Sequence, residues 1–125
     1  MNTWAIRPRG ATHRVALVTD STVSLPQALI QEYSIRVVPL ELILQGSSYR
    51  DGLDLTPGEF YDILSHTDRT VTTSAPSPGA FLEAFQEVAS YTSEILCLTI
   101  TSRLSATFNS ANTAAAMAME TIQRA

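Results

Sequence analysis

Three short runs of apolar, largely β-branched residues set what this chain can fold into. They are VALVT at Val15–Thr19, IRVVPLELIL at Ile35–Leu44 and EILCLTI at Glu94–Ile100. Runs of this length without in–out alternation suit strands covered on both faces, as in parallel sheets. A weaker run, Arg69–Thr73, reads as a fourth strand, and Ile95–Ile100 is the core of the last one. Between the runs lie segments with helical spacing. Leu25, Ala28, Leu29 and Tyr33 mark a helix over Leu25–Tyr33, with Ser24 as its cap and Pro26 in its first turn. Thr56-Pro57-Gly58-Glu59 joins a cap, an early proline and the acid of a capping box, and predicts a helix over Pro57–Ser65. Ser77-Pro78 repeats the cap and proline ahead of the stripe Phe81, Leu82, Phe85 and Val88, which predicts a helix over Pro78–Ser90. The alanine-rich Ser105–Arg124 is a strong helix former. Strands alternating with helices in this way predict an α/β fold, a three-layer α/β/α domain around a mainly parallel sheet. Pro39 interrupts its strand and marks an edge or a bulge. Gln45–Gly52 is turn-rich and reads as a hairpin excursion.

Residues 1–13 hold arginines, Pro8 and Gly10 but no apolar core, so they read as a disordered leader and not as a signal peptide. Residues 14–125 form the α/β domain, and the last helix has no strand after it, which suggests part of a larger protein. No apolar stretch approaches the ~20 residues of a membrane helix. The expected location is the cytoplasm.

Composition narrows the chemistry. Twelve acids face eight bases, a net charge of −4 that argues against nucleic acid. All the bases are arginine, which removes Schiff-base chemistry and a P-loop lysine. The two histidines, His13 and His66, cannot make a three-histidine metal site, and neither has a visible partner. Cys97 lies mid-strand and reads as a buried, inert thiol. Neither G-x-S-x-G nor G-x-G-x-x-G occurs. Asp51 and Asp54 are spaced like ligands, but the turn at Gly52 explains them better. Asp20 reads as an acceptor for its own turn.

What the chain does hold is hydroxyl, with 13 serines and 15 threonines. In an open α/β sheet, ligands bind beyond the carboxyl ends of the strands. Three hydroxyl-rich segments fall there: Asp20-Ser21-Thr22, Thr73-Ser74-Ala75-Pro76-Ser77 and Thr101-Ser102-Arg103-Leu104-Ser105. Hydroxyl donors beside helix N-termini suit a carboxylate or a phosphate. Each hydroxyl alone is an ordinary cap, and it is their convergence that points to a ligand. No cofactor is called for.

These segments, taken in order, resemble the N-terminal domain of the DegV family. The matching pieces are Val18-Thr19-Asp20-Ser21-Thr22 with Leu25-Pro26, Val37-Val38-Pro39-Leu40, Tyr49-Arg50-Asp51-Gly52, Phe60-Tyr61, Thr73 to Gly79, and Leu104 to Ala111. The resemblance implies the N-terminal half of a two-domain, bacterial, lipid-binding protein whose second domain is absent here. Members hold a long-chain fatty acid between their domains, and some present its carboxylate to a separate fatty acid kinase, so the protein is a carrier and not an enzyme. By the family pattern, Thr73 and Ser105 bind the carboxylate; the hydroxyl-rich segments themselves add Ser21, Ser74, Ser77 and Ser102 as weaker candidates. Ala75 replaces a polar residue of that pattern, Ala106 replaces a glycine, and Phe108 a tyrosine. The family's histidine and arginine near the head group belong to the second domain. An exposed apolar patch is expected where that domain docks and the acyl tail runs. Two alternatives stand beside this reading. One is a phosphoryl-transfer domain related to dihydroxyacetone kinases, which would need a histidine at a strand end. The other is a truncated fragment with no activity.

Overall fold

The structure, a computed structural model, describes residues 15–66 and 70–122. Val15–Asp20 forms β1, the middle strand of a parallel sheet. It lies between β2 (Arg36–Val38) and β6 (Glu94–Leu98), in the order β2-β1-β6. Val18 is in register with Arg36 on one side and with Cys97 on the other. The connections place three helices on this sheet: α1 (Gln27–Glu32) between β1 and β2, α3 (Pro78–Ala89) before β6, and α4 (Thr107–Ile122) after it. Ala16, Val18 and Val38 pack with Phe81, Phe85, Val88, Ala111, Ala114 and Ala118 into the main core, on the face that carries α3 and α4. The alanines let α4 lie close against α3. On the opposite face α1 makes a smaller core of Ile30, Ile35 and Val37 against Leu17. Helices on both faces of a parallel sheet are the three-layer arrangement expected.

Two strand expectations are corrected. Ile35–Leu44 is not one strand. After β2 the chain passes through Pro39 and begins β3 (Glu41–Leu44), which belongs to a second sheet of order β4-β3-β5. The proline has no N–H to extend the parallel ladder, so the chain leaves the sheet there. Arg69–Thr73 does not join the parallel sheet either; Arg69 lies outside the described residues. The strand found is β5 (Thr72–Ser74), antiparallel to β3 with Thr73 opposite Leu42. All three of its residues are exposed, a pattern that a strand covered on both faces cannot have.

The hairpin excursion is β3 joined to β4 (Ser47–Arg50) through Gln45 and Gly46, both at positive φ (53° and 79°). Two central residues with positive φ make the two-residue turn whose twist matches antiparallel strands. α2 (Pro57–His66) starts with the expected capping box: Thr56 N–H donates to Glu59 Oε2 at 2.8 Å, and Glu59 N–H to Thr56 Oγ1 at 3.2 Å. α3 starts at Ser77, whose hydroxyl accepts from Ala80 N–H. α1 differs from expectation, beginning at Gln27 with Pro26 in the cap position and no side-chain cap from Ser24. Its stability comes from its other end. Ser34 turns left-handed (φ 51°), Ser34 N–H donates to Gln31 O, and Ile35 N–H donates to Ile30 O. That pair of bonds, with Ile35 packed on Ile30, is a Schellman ending.

Candidate functional site at the carboxyl edge of the sheet

Because β1, β2 and β6 are parallel, the segments leaving β1 and β6 emerge at one edge, and α1, α3 and α4 all begin there. Asp20 organises that edge. Its carboxylate is wholly buried. Oδ1 accepts from Thr22 N–H at 2.8 Å and from the Thr22 hydroxyl, while Oδ2 accepts from Ile100 N–H at 2.8 Å. One side chain thus joins the loop after β1 to the loop after β6. Ser21 makes the corresponding link toward β2: its N–H donates to Val38 O at 3.1 Å and its Oγ accepts from Leu40 N–H at 3.0 Å. A turn acceptor was legible for Asp20 in the sequence. Its reach to Ile100 was not, since nothing local marks a contact between residues 80 positions apart.

Ser105 stands just ahead of α4, half-buried. Its Oγ accepts from Thr107 N–H at 3.2 Å and lies 2.8 Å from Thr107 Oγ1. Thr107 is completely buried. Ser102 is exposed in a turn closed by Leu104 N–H donating to Thr101 O. Ser77 is occupied as the α3 cap. Ser74 is exposed, pairs with Glu41, and so lies beside Leu40, the residue that Ser21 holds. Thr73 is exposed, one residue further back on β5. The sequence reading set the segments holding Thr73 and Ser105 beyond the carboxyl ends of strands in one parallel sheet. Instead, Thr73 belongs to the second sheet, and the edge is reached by way of Ala75 and buried Pro76 into α3. Ser77 lies four positions beyond Thr73, a span of at most ~14 Å.

Exposed apolar side chains stand next to Ser105 in the chain, Leu104 at 76% and Phe108 at 47%, and Leu98, at the carboxyl end of β6, is 55% exposed. Leu96, also exposed, continues the apolar surface along β6 on the face that α1 leaves uncovered. Hydroxyls set among exposed apolar groups suit an amphiphile. A separate apolar cavity of about 380 Å³ lies between α3, α4 and β6, lined by Phe85, Ala89, Ile95, Cys97 and Met119. It sits toward the other end of α4, ~18 Å along the helix from Thr107 at Met119.

Ala106 is unstrained in the place of the family's glycine. Among the described residues only Ser34 and Gln45 have positive φ without being glycine. Burial, and then the charge of Asp20, push the Cys97 thiol up to about 11, which leaves it protonated and unreactive at neutral pH. Asp54 accepts from the backbone and guanidinium of Arg50, and its carboxyl is held below the usual range by that guanidinium. His66 closes α2 against Asp62. His13 lies outside the described residues. Among the described residues no cluster of three His, Cys, Asp or Glu could hold a metal, and no helix is long and apolar enough to cross a membrane.

The structure is that of an α/β domain with hydroxyls and helix starts gathered at the carboxyl edge of its parallel sheet, the edge at which open α/β sheets take their ligands. The chain belongs to the DegV family, described as "Uncharacterised protein, DegV family", whose pattern it matches over residues 14–123. It is 39% identical over 98 residues to DegV domain-containing protein TTE1491 of Caldanaerobacter subterraneus, a match covering 78% of this chain and 35% of the relative. A DegV family protein from Thermus thermophilus, whose structure is described in terms of fatty acid binding, superposes with a TM-score of 0.75 at 40% identity, over 84% of this chain and 38% of that one. A stearic acid-binding protein from Eubacterium ventriosum gives a TM-score of 0.80 at 28% identity, over 90% of this chain and 39% of that one. The chain therefore spans little more than a third of the length of the relatives it matches.

Proposed function

We propose that this chain is the carboxylate-holding domain of a fatty-acid-binding protein. Residues 14–125 act as the N-terminal domain, and a second domain of the kind that completes the relatives' length closes over the acyl chain. The observation that carries the reading is the likeness to the Thermus thermophilus protein, at 40% identity across most of this chain. The exposed Leu104 and Phe108 on either side of Ser105 in the chain, with Leu98 exposed at the end of β6, support it, because the affinity of an acyl chain comes from burying its methylenes, ~0.8 kcal/mol each.

Thr73 and Ser105 are the proposed head-group ligands. A carboxylate offers about four acceptor sites, and two hydroxyls with nearby amides can fill them. Ser21 and Ser77 are already engaged as acceptors and play supporting parts. Ser74 and Ser102 are exposed and lie at the margins. The protein works as a carrier in the cytoplasm, without cofactor or catalysis of its own, and offers the bound carboxylate to a separate fatty acid kinase. Phosphoryl transfer by this domain is disfavoured because no histidine of the described residues stands at a strand end: His66 ends α2.

Stearate titrated calorimetrically into the protein tests the assignment. Thr73→Val and Ser105→Ala are each expected to weaken binding about tenfold or more, the worth of a hydrogen bond to a charged group. Thr73→Val should leave the melting temperature unchanged, since Thr73 is exposed. Unaltered affinity in both variants would remove these residues from the site.

A further inference from the structure

We propose that Thr107 is a positioning residue for the head-group site: its buried hydroxyl donates to Ser105 Oγ and so leaves the single Ser105 proton free to donate to a bound carboxylate. The inference rests on the fatty-acid reading above and deepens it.

Proton arithmetic at two oxygens carries it. Ser105 Oγ and Thr107 Oγ1 are 2.8 Å apart, so one of the two protons lies between them. Thr107 is completely buried, with Ser105 as the partner of its hydroxyl, whereas Ser105 is half-buried and borders the open edge. If Ser105 donated, the Thr107 proton would be a buried donor with nothing among the described residues to receive it, the costlier way to leave a hydroxyl. If Thr107 donates, no buried proton is stranded. Ser105 Oγ then accepts two bonds, from Thr107 O–H and from Thr107 N–H at 3.2 Å, which fills both its lone pairs. Its own proton has no role left within the protein and points to the open side. An anion at the edge then meets a donor and no competing lone pair.

The geometry also explains why a capping serine can serve as a ligand. A serine that caps a helix spends only its acceptor capacity on the cap. Threonine at the first helical position, buried under the helix start, takes up the remaining lone pair and fixes the rotation of the serine hydroxyl. A valine there has the same shape but no proton to give.

Two measurements on the 125-residue protein test the proposal. Neutron diffraction from deuterium-exchanged crystals locates the deuteron: the proposal expects it bonded to Thr107 Oγ1 and aimed at Ser105 Oγ, and a deuteron bonded to Ser105 and aimed at Thr107 overturns it. Stearate titrations then compare wild type, Thr107→Val, Thr107→Ser, Ser105→Ala and Thr107→Val/Ser105→Ala, with melting temperatures taken in parallel. Thr107→Val should weaken binding about fivefold, as for one neutral hydrogen bond, and Thr107→Ser should restore it. The double variant should bind no worse than Ser105→Ala alone. If Ser105→Ala weakens binding while Thr107→Val binds as wild type, the positioning role is wrong and the fatty-acid reading stands. If stearate binds neither this chain nor the same chain joined to a relative's carboxyl-terminal domain, the fatty-acid reading is wrong, and the deuteron position alone decides the direction of the bond.

Discussion

Arg36 stands on β2 with its side chain 11% exposed, inside the layer shared with α3. Its Nε donates to Glu87 Oε2 at 2.8 Å and a terminal nitrogen donates to Val37 O at 2.9 Å. Removing the acid leaves a buried cation with one partner fewer. Glu87→Leu is expected to lower unfolding free energy by about 1.5–3 kcal/mol in urea titrations, the range for hydrogen bonds to a charged group. Ser34 presents the reverse case. It holds a left-handed conformation that costs most residues ~1–2 kcal/mol, and its buried Oγ has no partner among the described residues. Ser34→Gly is expected to raise stability by about 1 kcal/mol in the same assay. Cys97 links stability to alkaline pH. Its thiol holds its proton more tightly in the folded protein, from the ordinary 9.0 up to about 11, so its contribution is complete below pH 9 and is lost as pH rises toward 11. Cys97→Ala should flatten the fall of unfolding free energy over that interval. At this scale the sequence already marks Cys97 as an inert strand residue. The Arg36–Glu87 pair, 51 positions apart, leaves no local trace. The choice of Thr73 and Ser105 rests on family resemblance, since a serine ahead of a helix looks the same whether it caps or binds.

Elements were legible where their signals are local. The Thr56–Glu59 capping box and the Ser77-Pro78 start each need four consecutive residues or fewer, and both helices begin where those residues predict. The Glu59 carboxyl is held below its usual range by the Thr56 N–H and hydroxyl. Its share of α2 stability is therefore full above the ordinary 4.5 and is lost as pH falls through the lower folded value. Protection of the first-turn amides of α2, measured as exchange relative to the intrinsic rate at each pH, is expected to fall there, and Glu59→Gln should show a smaller pH response. Strand assignment was harder, because an apolar run does not state which sheet it enters. Pro39 divides one run between two sheets, and the exposed β5 is a strand only because β3 offers it an antiparallel edge. The α1 ending was hidden for a different reason: a serine fills the left-handed place where glycine is the usual signal.

At the scale of the whole molecule, the described residues divide into a covered part and an open part. α3 and α4 bury one face of the parallel sheet around Phe81 and Val18, both at 0% exposure. The other face is covered by α1 alone and leaves Val15, Leu96 and Leu98 exposed, and α2 has no buried residue. An apolar patch is the expectation for a domain that shares its ligand with another; on this face Leu98 ends β6 at the hydroxyl-rich edge, Leu96 lies two residues back, and Val15 begins β1 at the opposite edge. The direct test of the central claim is native mass spectrometry on a chimera: this chain joined to the carboxyl-terminal two thirds of the Thermus thermophilus DegV protein, expressed in bacteria and analysed without delipidation. The account predicts one long-chain fatty acid per molecule, reduced in occupancy by Thr73→Val and by Ser105→Ala. A folded chimera that carries no acyl chain, while the intact Thermus thermophilus protein purified alongside does, would contradict it.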